Sequence, residues 1–297
     1  MDLIRNRSAW LHQFDQTAEG TITALAKTIR ADAATSIILV KAMDGQSFMA
    51  GADTAPAAIG SVGDMSRRIA EGIAAGVTVI PWVNALGVAD ATAHAALGPV
   101  LVVDAEPYPQ FWQNGQIVSG DFARYLRLLR AGGVAHLYVA IDPRPLAQTA
   151  LEVAAWAPLV DGLLPEMYWP DFGVAPDGTE MTSLIAAMAA LGRPWAPVLP
   201  STGAAGEIGR FMKACSGVAT CTGVSLWKLG IADLSTLQAF AQAPVVGDQP
   251  APSPSPAPPG VAAVQLRYLL SSIIKHLEEP DLCEAVKADI IALEKAL

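Results

Sequence analysis

Two acidic residues follow a pattern typical of a buried strand in the middle of the chain. Asp104 and Glu106 end an apolar segment that begins at Pro99, and only Ala105 separates them. Because side chains alternate between the faces of a strand, both carboxyl groups are expected to point the same way. Such a pair can perform acid–base chemistry, as in glycoside cleavage, where one carboxyl protonates the leaving oxygen. Glu106 is the predicted proton donor, and Asp104 can raise its pKa by like-charge repulsion.

A second same-face pair, Glu166 and Tyr168, occurs later in the chain. Glu166 is a candidate second catalytic carboxylate, although a salt bridge to Lys41 is an equally open interpretation. Acids combined with aromatic rings suit sugars, because ring faces stack on the C–H faces of a pyranose. The predicted substrate-binding residues are Tyr168, Trp227, Trp169, Lys41, Asp44, Trp82 and Asn84. The alternative is a set of solvated or salt-bridged acids, with the aromatic rings packed in the core.

Strand-like and helix-like segments alternate along most of the chain. The predicted strands span residues 9–14, 36–42, 77–83, 100–106, 136–141, 162–169, 195–199 and 223–229. Most are continuous apolar runs, as expected for strands covered on both faces. This order predicts a (β/α)8 barrel, in which the site lies at the C-terminal ends of the strands. An open doubly wound sheet is the alternative, but no Gly-x-Gly-x-x-Gly follows the first strand.

Composition excludes several classes of function. The formal net charge is −9, which argues against a nucleic-acid-binding face. Three cysteines and four scattered histidines indicate no structural zinc site, and we predict no metal and no cofactor. Whether Cys215 and Cys221 pair is left open. No apolar segment reaches the ~18 residues of a membrane span, and the N-terminus lacks the apolar core of a signal peptide. We therefore expect synthesis in the cytoplasm, with release by lysis or packaging into a virion as the available routes out.

The chain divides into three predicted parts. Residues 1–243 form the barrel, the proline-rich residues 244–260 form a linker, and residues 261–297 form a short helical hairpin. Apolar residues of this tail recur at heptad-like spacing, beginning with Leu266, Leu270 and Ile273. We expect the tail to self-associate or to dock on a protein partner, with folding back onto the barrel as the alternative.

Several short segments resemble two families of glycoside hydrolases. Residues 37–45 (IILVKAMDG) resemble the second strand of the lysozyme-type family 25. Residues 99–106 (PVLVVDAE) resemble the fourth-strand D-x-E segment that families 25 and 18 share, whose Glu is the acid. Met167 and Tyr168 are similar to the sixth-strand M-x-Y-D of the chitinase-like family 18, out of register by one, and Trp227 is similar to its last-strand Trp. The resemblance implies a glycosidase-like barrel that acts on a peptidoglycan-like or related amino-sugar polymer.

The sequence also departs from both families. The first strand (AWLHQFD, 9–15) lacks the G-I-D-V-S of family 25, and Trp169 stands where family 18 has an Asp. A non-catalytic carbohydrate-binding or structural protein of a virion or tail, built on a degenerate barrel, therefore remains the main alternative. By analogy, a wall-directed barrel without a signal peptide suggests a phage endolysin or tail-associated protein. A third alternative is an aldolase-like barrel with Lys41 as a Schiff-base lysine.

Overall fold

Eight parallel strands form the core of the part of the chain that the structure describes. A computed structural model describes residues 3–116, 118–202 and 205–245. The barrel strands are β1 (Arg7–Leu11), β2 (Ile37–Asp44), β4 (Thr78–Asn84), β5 (Val100–Ala105), β6 (His136–Ile141), β7 (Gly162–Pro165), β8 (Val198–Pro200) and β9 (Val224–Trp227). A two-residue strand, β3 (Ser47–Phe48), pairs antiparallel with the end of β2.

The strands close into a barrel. Their order is β7-β6-β5-β4-β2-β1-β9-β8, and each of these neighbours pairs in parallel. Isolated bridges join Leu163 to Trp195 and Glu166 to Val198, which connects β7 to β8. The predicted (β/α)8 barrel is confirmed.

Helices alternate with the strands and cover the barrel. They are α1 (Ile22–Asp32), α2 (Val62–Ala74), α3 (Ala91–Ala95), α4 (Asp121–Ala131), α5 (Pro145–Ala150), α6 (Val153–Trp156), α7 (Trp169–Phe172), α8 (Thr179–Ala190), α9 (Ile208–Cys215) and α10 (Leu234–Gln242). The side chains of Thr21, Ser61 and Asp233 cap α1, α2 and α10. None of the helices in the described residues is long and apolar enough to cross a bilayer.

The predicted sixth strand, residues 162–169, is too long. β7 ends at Pro165, and Glu166 makes only a single bridge before α7 begins at Trp169. Pro170 lies in the first turn of α7, where its fixed φ suits a helix and its missing N–H costs nothing. Trp169 is therefore the first residue of a helix and not the last residue of a barrel strand.

The predicted first strand, residues 9–14, also extends too far. β1 ends at Leu11, and Phe14–Gln16 form a 3-10 turn. The buried carboxylate of Asp53 accepts hydrogen bonds from the backbone N–H groups of Phe14 and Asp15, at 2.6 and 3.2 Å. A polar side chain remote in the sequence thus fixes this turn at the mouth of the barrel.

The remaining predictions of domain organisation are only partly covered. The described residues end at 245, shortly after α10. Most of the linker (244–260) and all of the predicted tail (261–297) lie outside the described residues. Cys215 and Cys221 are both buried and carry free thiols.

Candidate active site

Three carboxyl groups meet at the C-terminal end of the barrel. Asp104 lies in β5, Glu106 directly follows β5, and Glu166 directly follows β7. One oxygen of each carboxyl lies within 4.8 Å of the others. Asp104 is buried, with 6% of its surface exposed, and the two glutamates are half-buried. We call these three residues the acid cluster.

Strand register explains this convergence. Ala105, Ile141 and Pro165 are paired neighbours across β5, β6 and β7. The residues that follow them, Glu106, Asp142 and Glu166, are therefore placed side by side along the rim. Acids from three distant parts of the sequence meet because parallel strands end at the same edge of the barrel.

Burial makes the acid cluster hold protons more tightly than free carboxyls do. It is the main cause that raises the pKa of Glu106 to about 7, and the charge of Asp142 adds to it. A hydrogen bond with Glu166 and the charge of Arg144 act in the opposite direction. Like-charge repulsion from Asp104 is not among the main causes. The pKa of Glu106 is therefore raised as predicted, but by burial and Asp142 and not by Asp104.

The other two members of the acid cluster show the same behaviour. Burial, followed by the charge of Glu106, raises the pKa of Asp104. Burial, followed by the charges of Asp104 and Glu106, raises the pKa of Glu166. Because the three groups interact, the cluster as a whole holds protons more tightly than isolated carboxyls do and retains at least one near neutral pH.

Two buried polar atoms of the cluster region have no hydrogen-bond partner among the described residues. They are Oδ1 of Asp104 and the hydroxyl of Tyr168. Burial and the neighbouring carboxyl of Glu166 raise the pKa of Tyr168, so its hydroxyl stays a donor. Buried polar atoms are seldom left unpaired without a functional reason, and these two suit hydroxyl or amide groups of a ligand.

A second group of polar side chains lies beside Glu106. The carboxylate of Asp142 binds Nη2 of Arg144 at 2.6 Å and also accepts a hydrogen bond from the hydroxyl of Tyr108. The guanidinium of Arg144 stands 4.7 Å from the ring centroid of Phe172. Burial and Asp142 raise the pKa of Tyr108 to about 12. This group places a negative charge, on Asp142, and a positive charge, on Arg144, close to Glu106, the predicted proton donor.

Three tryptophans form an aromatic cluster on the other side of the barrel interior. The ring centroids of Trp10, Trp82 and Trp227 lie 5.2 to 5.7 Å apart in edge-to-face contacts. Trp10 and Trp82 are each 1% exposed, and their indole N–H groups bind Ser225 Oγ and Leu11 O. The ring of Trp82 is buried in the aromatic cluster, and its direct contact with substrate stays a prediction. Trp227 is half-buried and keeps part of its ring at the mouth.

Lys41 forms its ion pair with Asp44 and not with Glu166, the partner considered in the sequence analysis. Its Nζ lies 2.9 Å from Oδ1 of Asp44, which also accepts a hydrogen bond from Asn84 Nδ2 at 2.5 Å. Among the described ion pairs, none joins Lys41 to Glu166. That alternative is wrong, and Glu166 remains free to act with Glu106.

His12 contacts the ammonium of Lys41 and is also affected by the charge of Lys228. Its Nε2 is 3.4 Å from Lys41 Nζ, and because an ammonium can only donate, Nε2 must accept. Burial and the charges of Lys41 and Lys228 lower the pKa of His12 to about 4. His12 is therefore neutral at physiological pH. Nζ of Lys228 itself donates to Gln16 Oε1 at 2.9 Å and lies 5.5 Å from the ring centroid of Trp227.

Trp169 lies away from this arrangement. Its ring is 1% exposed, stacks on Phe211 of α9 at 5.1 Å and donates a hydrogen bond to Glu207. The ring packs between α7 and α9 and is buried, and its role in substrate binding stays a prediction.

Three residues of the site were missed in the sequence. Lys228 follows Trp227 at the end of β9, Arg144 follows Asp142 by two residues, and Gln16 lies in the turn after β1. The first two adjoin predicted strand ends, and that position was the available signal. Gln16 carried none, since its place depends on the contact between the turn and Asp53.

In the described part of the chain, the acid cluster is also the group of side chains that could hold a metal ion. Its three carboxyl groups lie close enough together to bind one cation. Hard cations prefer such carboxylate oxygens. A cation would have to displace the proton that the cluster retains near neutral pH. The cluster therefore fits proton transfer at least as well as cation binding.

Comparisons with known proteins support the fold. Neither models of protein families nor curated proteins match this sequence. Among solved structures, a GH113 β-1,4-mannanase superimposes with a TM-score of 0.52 at 11% identity, covering 81% of this chain and 99% of the mannanase. A glycoside hydrolase family 18 N-acetylglucosaminidase from Paenibacillus barengoltzii has a TM-score of 0.54 at 11% identity, covering 81% and 100%. A β-mannanase from Thermomonospora fusca has a TM-score of 0.53 at 16% identity, covering 75% and 78%.

This chain shares the (β/α)8 barrel fold of these three solved structures. At these identities the likeness concerns the fold alone. The predicted resemblance to the lysozyme-type family 25 is not confirmed by these comparisons.

Proposed function

We propose that the barrel is a glycoside hydrolase that cleaves an amino-sugar polymer of the cell-wall type, with Glu106 as the proton donor. The single observation that carries the proposal is the acid cluster: three carboxyl groups at the C-terminal mouth, one of them with its pKa raised to about 7. A carboxyl that remains protonated at working pH can deliver a proton to the glycosidic oxygen. A phage endolysin or tail-associated setting belongs to the same proposal and rests on the sequence alone.

Glu166 is the proposed second carboxylate. The interaction between the two side chains raises the pKa of Glu166 and lowers that of Glu106, so the pair shares a proton that can pass from one carboxyl to the other. Inverting glycosidases separate their carboxyls by about 6.5–9.5 Å to admit a water, whereas retaining ones keep them about 5–5.5 Å apart. The oxygens of the acid cluster lie within 4.8 Å of one another, which favours retention of anomeric configuration.

The remaining residues of the mouth suit a sugar ligand. The half-buried ring of Trp227 offers a surface for the C–H face of a pyranose. The unpartnered hydroxyl of Tyr168 and Oδ1 of Asp104 are a donor and an acceptor for sugar hydroxyl or acetamide groups. The Schiff-base alternative is disfavoured, because it needs a free amine, whereas Nζ of Lys41 is held in an ion pair with Asp44 at 2.9 Å.

Release of reducing ends from peptidoglycan, chitin and mannan tests the proposal. Wild type should cleave at least one polymer, and proton NMR should show the product formed first in the configuration of the substrate. Glu106→Gln should lower the rate by about 10²–10⁴-fold, whereas Glu180→Gln, which changes an exposed residue of α8, should not. Binding of sugars without hydrolysis by wild type would instead support a non-catalytic carbohydrate-binding protein.

A further inference from the structure

Lys228 carries a positive charge that nothing in the described structure neutralises. Its ammonium, on a half-buried residue, donates an exposed hydrogen bond to the neutral side chain of Gln16 and lies over the ring of Trp227. None of its contacts in the described residues is with a carboxylate. An ammonium at the mouth without a carboxylate partner is available for a charge-assisted hydrogen bond to an anionic group of a ligand.

A second ammonium reinforces this charge. Burial and the charge of Lys41 both lower the pKa of Lys228, and both lysines lower the pKa of His12. The two positive charges therefore act on the same region of the mouth. Asp44 balances one of them at 2.9 Å from Lys41, which leaves about one uncompensated positive charge. His12 adds none, because it is neutral at physiological pH.

We infer that Lys228, with Lys41 behind it, binds a carboxylate that is carried by the sugar in the site. This inference rests on the proposed function and narrows its substrate class to acidic sugars. A monoanion matches the single uncompensated charge. Two kinds of sugar supply it: a uronic acid, whose carboxylate replaces C6, and a muramic-type amino sugar, whose carboxylate is on a lactyl ether.

The position of Lys228 connects this charge to the proposed cleavage site. Nζ lies 5.5 Å from the centroid of Trp227, so substituents of a pyranose stacked on the exposed part of that ring come within its reach. Lys41 also acts electrostatically on Asp104 of the acid cluster, which places the basic side of the mouth next to the acidic one. A carboxylate held by Lys228 would thus orient the sugar toward Glu106.

Calorimetric titration of the full chain carrying Glu106→Gln, which allows binding without turnover, tests the inference. The ligands are a glucuronate-containing oligosaccharide, a muramic-type oligosaccharide, and the two matched ligands in which the carboxylate is reduced to an alcohol. We expect one carboxylate ligand to bind about tenfold more tightly than its reduced counterpart, as a charge-assisted hydrogen bond provides. The member of the pair that shows the preference identifies the source of the carboxylate.

Variants at two lysines make the assignment specific. Lys228→Met should abolish the preference for the carboxylate ligand, and Lys228→Arg should retain it. Lys213→Met, which removes an exposed lysine of α9, should leave it unchanged. Equal affinities for carboxylate and alcohol ligands, or a preference that persists in Lys228→Met, would overturn the inference.

The outcomes separate this inference from the proposed function. Glu106-dependent hydrolysis of neutral polymers without any carboxylate preference would overturn the inference and leave the hydrolase intact. A carboxylate preference that depends on Lys228, in a protein that hydrolyses no polymer, would support the inference and contradict the hydrolase.

Discussion

At the scale of single residues, the proton affinity of Glu106 depends on two neighbours with opposite charges. Asp142 raises its pKa and Arg144 lowers it. Asp142→Asn should therefore move the alkaline limb of the pH–rate profile, which lies near pH 7 when Glu106 loses its proton, to lower pH. Arg144→Gln should move it to higher pH. Profiles of kcat/KM would measure both, and shifts of the two variants in the same direction would contradict this account.

The sequence predicted the acids of the site better than their partners. Asp104 and Glu106 could be placed together because strand alternation is a local rule. Lys41 could not be assigned to Asp44 rather than Glu166, since both acids lie at strand ends and only the packed side chains decide between them. Lys228 was missed for a similar reason: its hydrogen bond with Gln16 joins opposite ends of the barrel sequence.

At the scale of elements, Trp169 joins α7 to α9. Its stacking on Phe211 and its hydrogen bond to Glu207 assign it to packing. Trp169→Ala should lower the free energy of unfolding in urea by about 3–5 kcal/mol, while the variant that still folds keeps the affinity of wild type for sugar. Unchanged stability with lost sugar binding would instead support the predicted contact with substrate.

The elements themselves were largely predictable, and their ends were not. His136–Ile141 has the predicted bounds, because a run of apolar residues between polar ones defines a buried strand. β7 ends four residues earlier than predicted, since the short helix started by Trp169 and Pro170 competes with continuation of the strand. Such competition depends on the contacts of α7 with α9, which the local sequence does not contain.

At the scale of the whole molecule, the buried acid cluster lowers the free energy of unfolding when its carboxyl groups are ionised. Burial raises the pKa of Asp104 in the folded protein above its unfolded value, so the folded state binds this proton more tightly. The resulting stabilisation is present below the unfolded pKa and is lost as pH rises through the folded one.

Replacing that carboxyl by an amide removes the pH-dependent cost. Asp104→Asn should melt at a higher temperature than wild type at pH 8, by about 2–4 °C for each kcal/mol gained, and the difference should shrink toward pH 4. Calorimetry at several pH values measures it. A difference that grows toward acid pH would show that Asp104 is not buried in a strained, protonated state.

The barrel fold could be predicted from the repeated order of strands and helices along the chain. That order stays the same when the bounds of single strands or helices are wrong by a few residues. The domain division into barrel, linker (244–260) and tail (261–297) stays a prediction beyond residue 245, as does the association of the tail with itself or a partner. The net charge argues against nucleic-acid binding, and the spacing of histidines and cysteines argues against a structural zinc site. Neither feature indicates a substrate.

The central claim, that Glu106 protonates the leaving oxygen, is tested most directly by the leaving-group dependence of Glu106→Gln. A dinitrophenyl glycoside of the sugar released from the polymer needs little protonation, whereas the polymer needs it fully. We predict that kcat/KM for the polymer falls by about 10²–10⁴-fold in the variant, while kcat/KM for the dinitrophenyl glycoside stays near that of wild type. Equal losses for both substrates, or no loss for either, would contradict the assignment of Glu106.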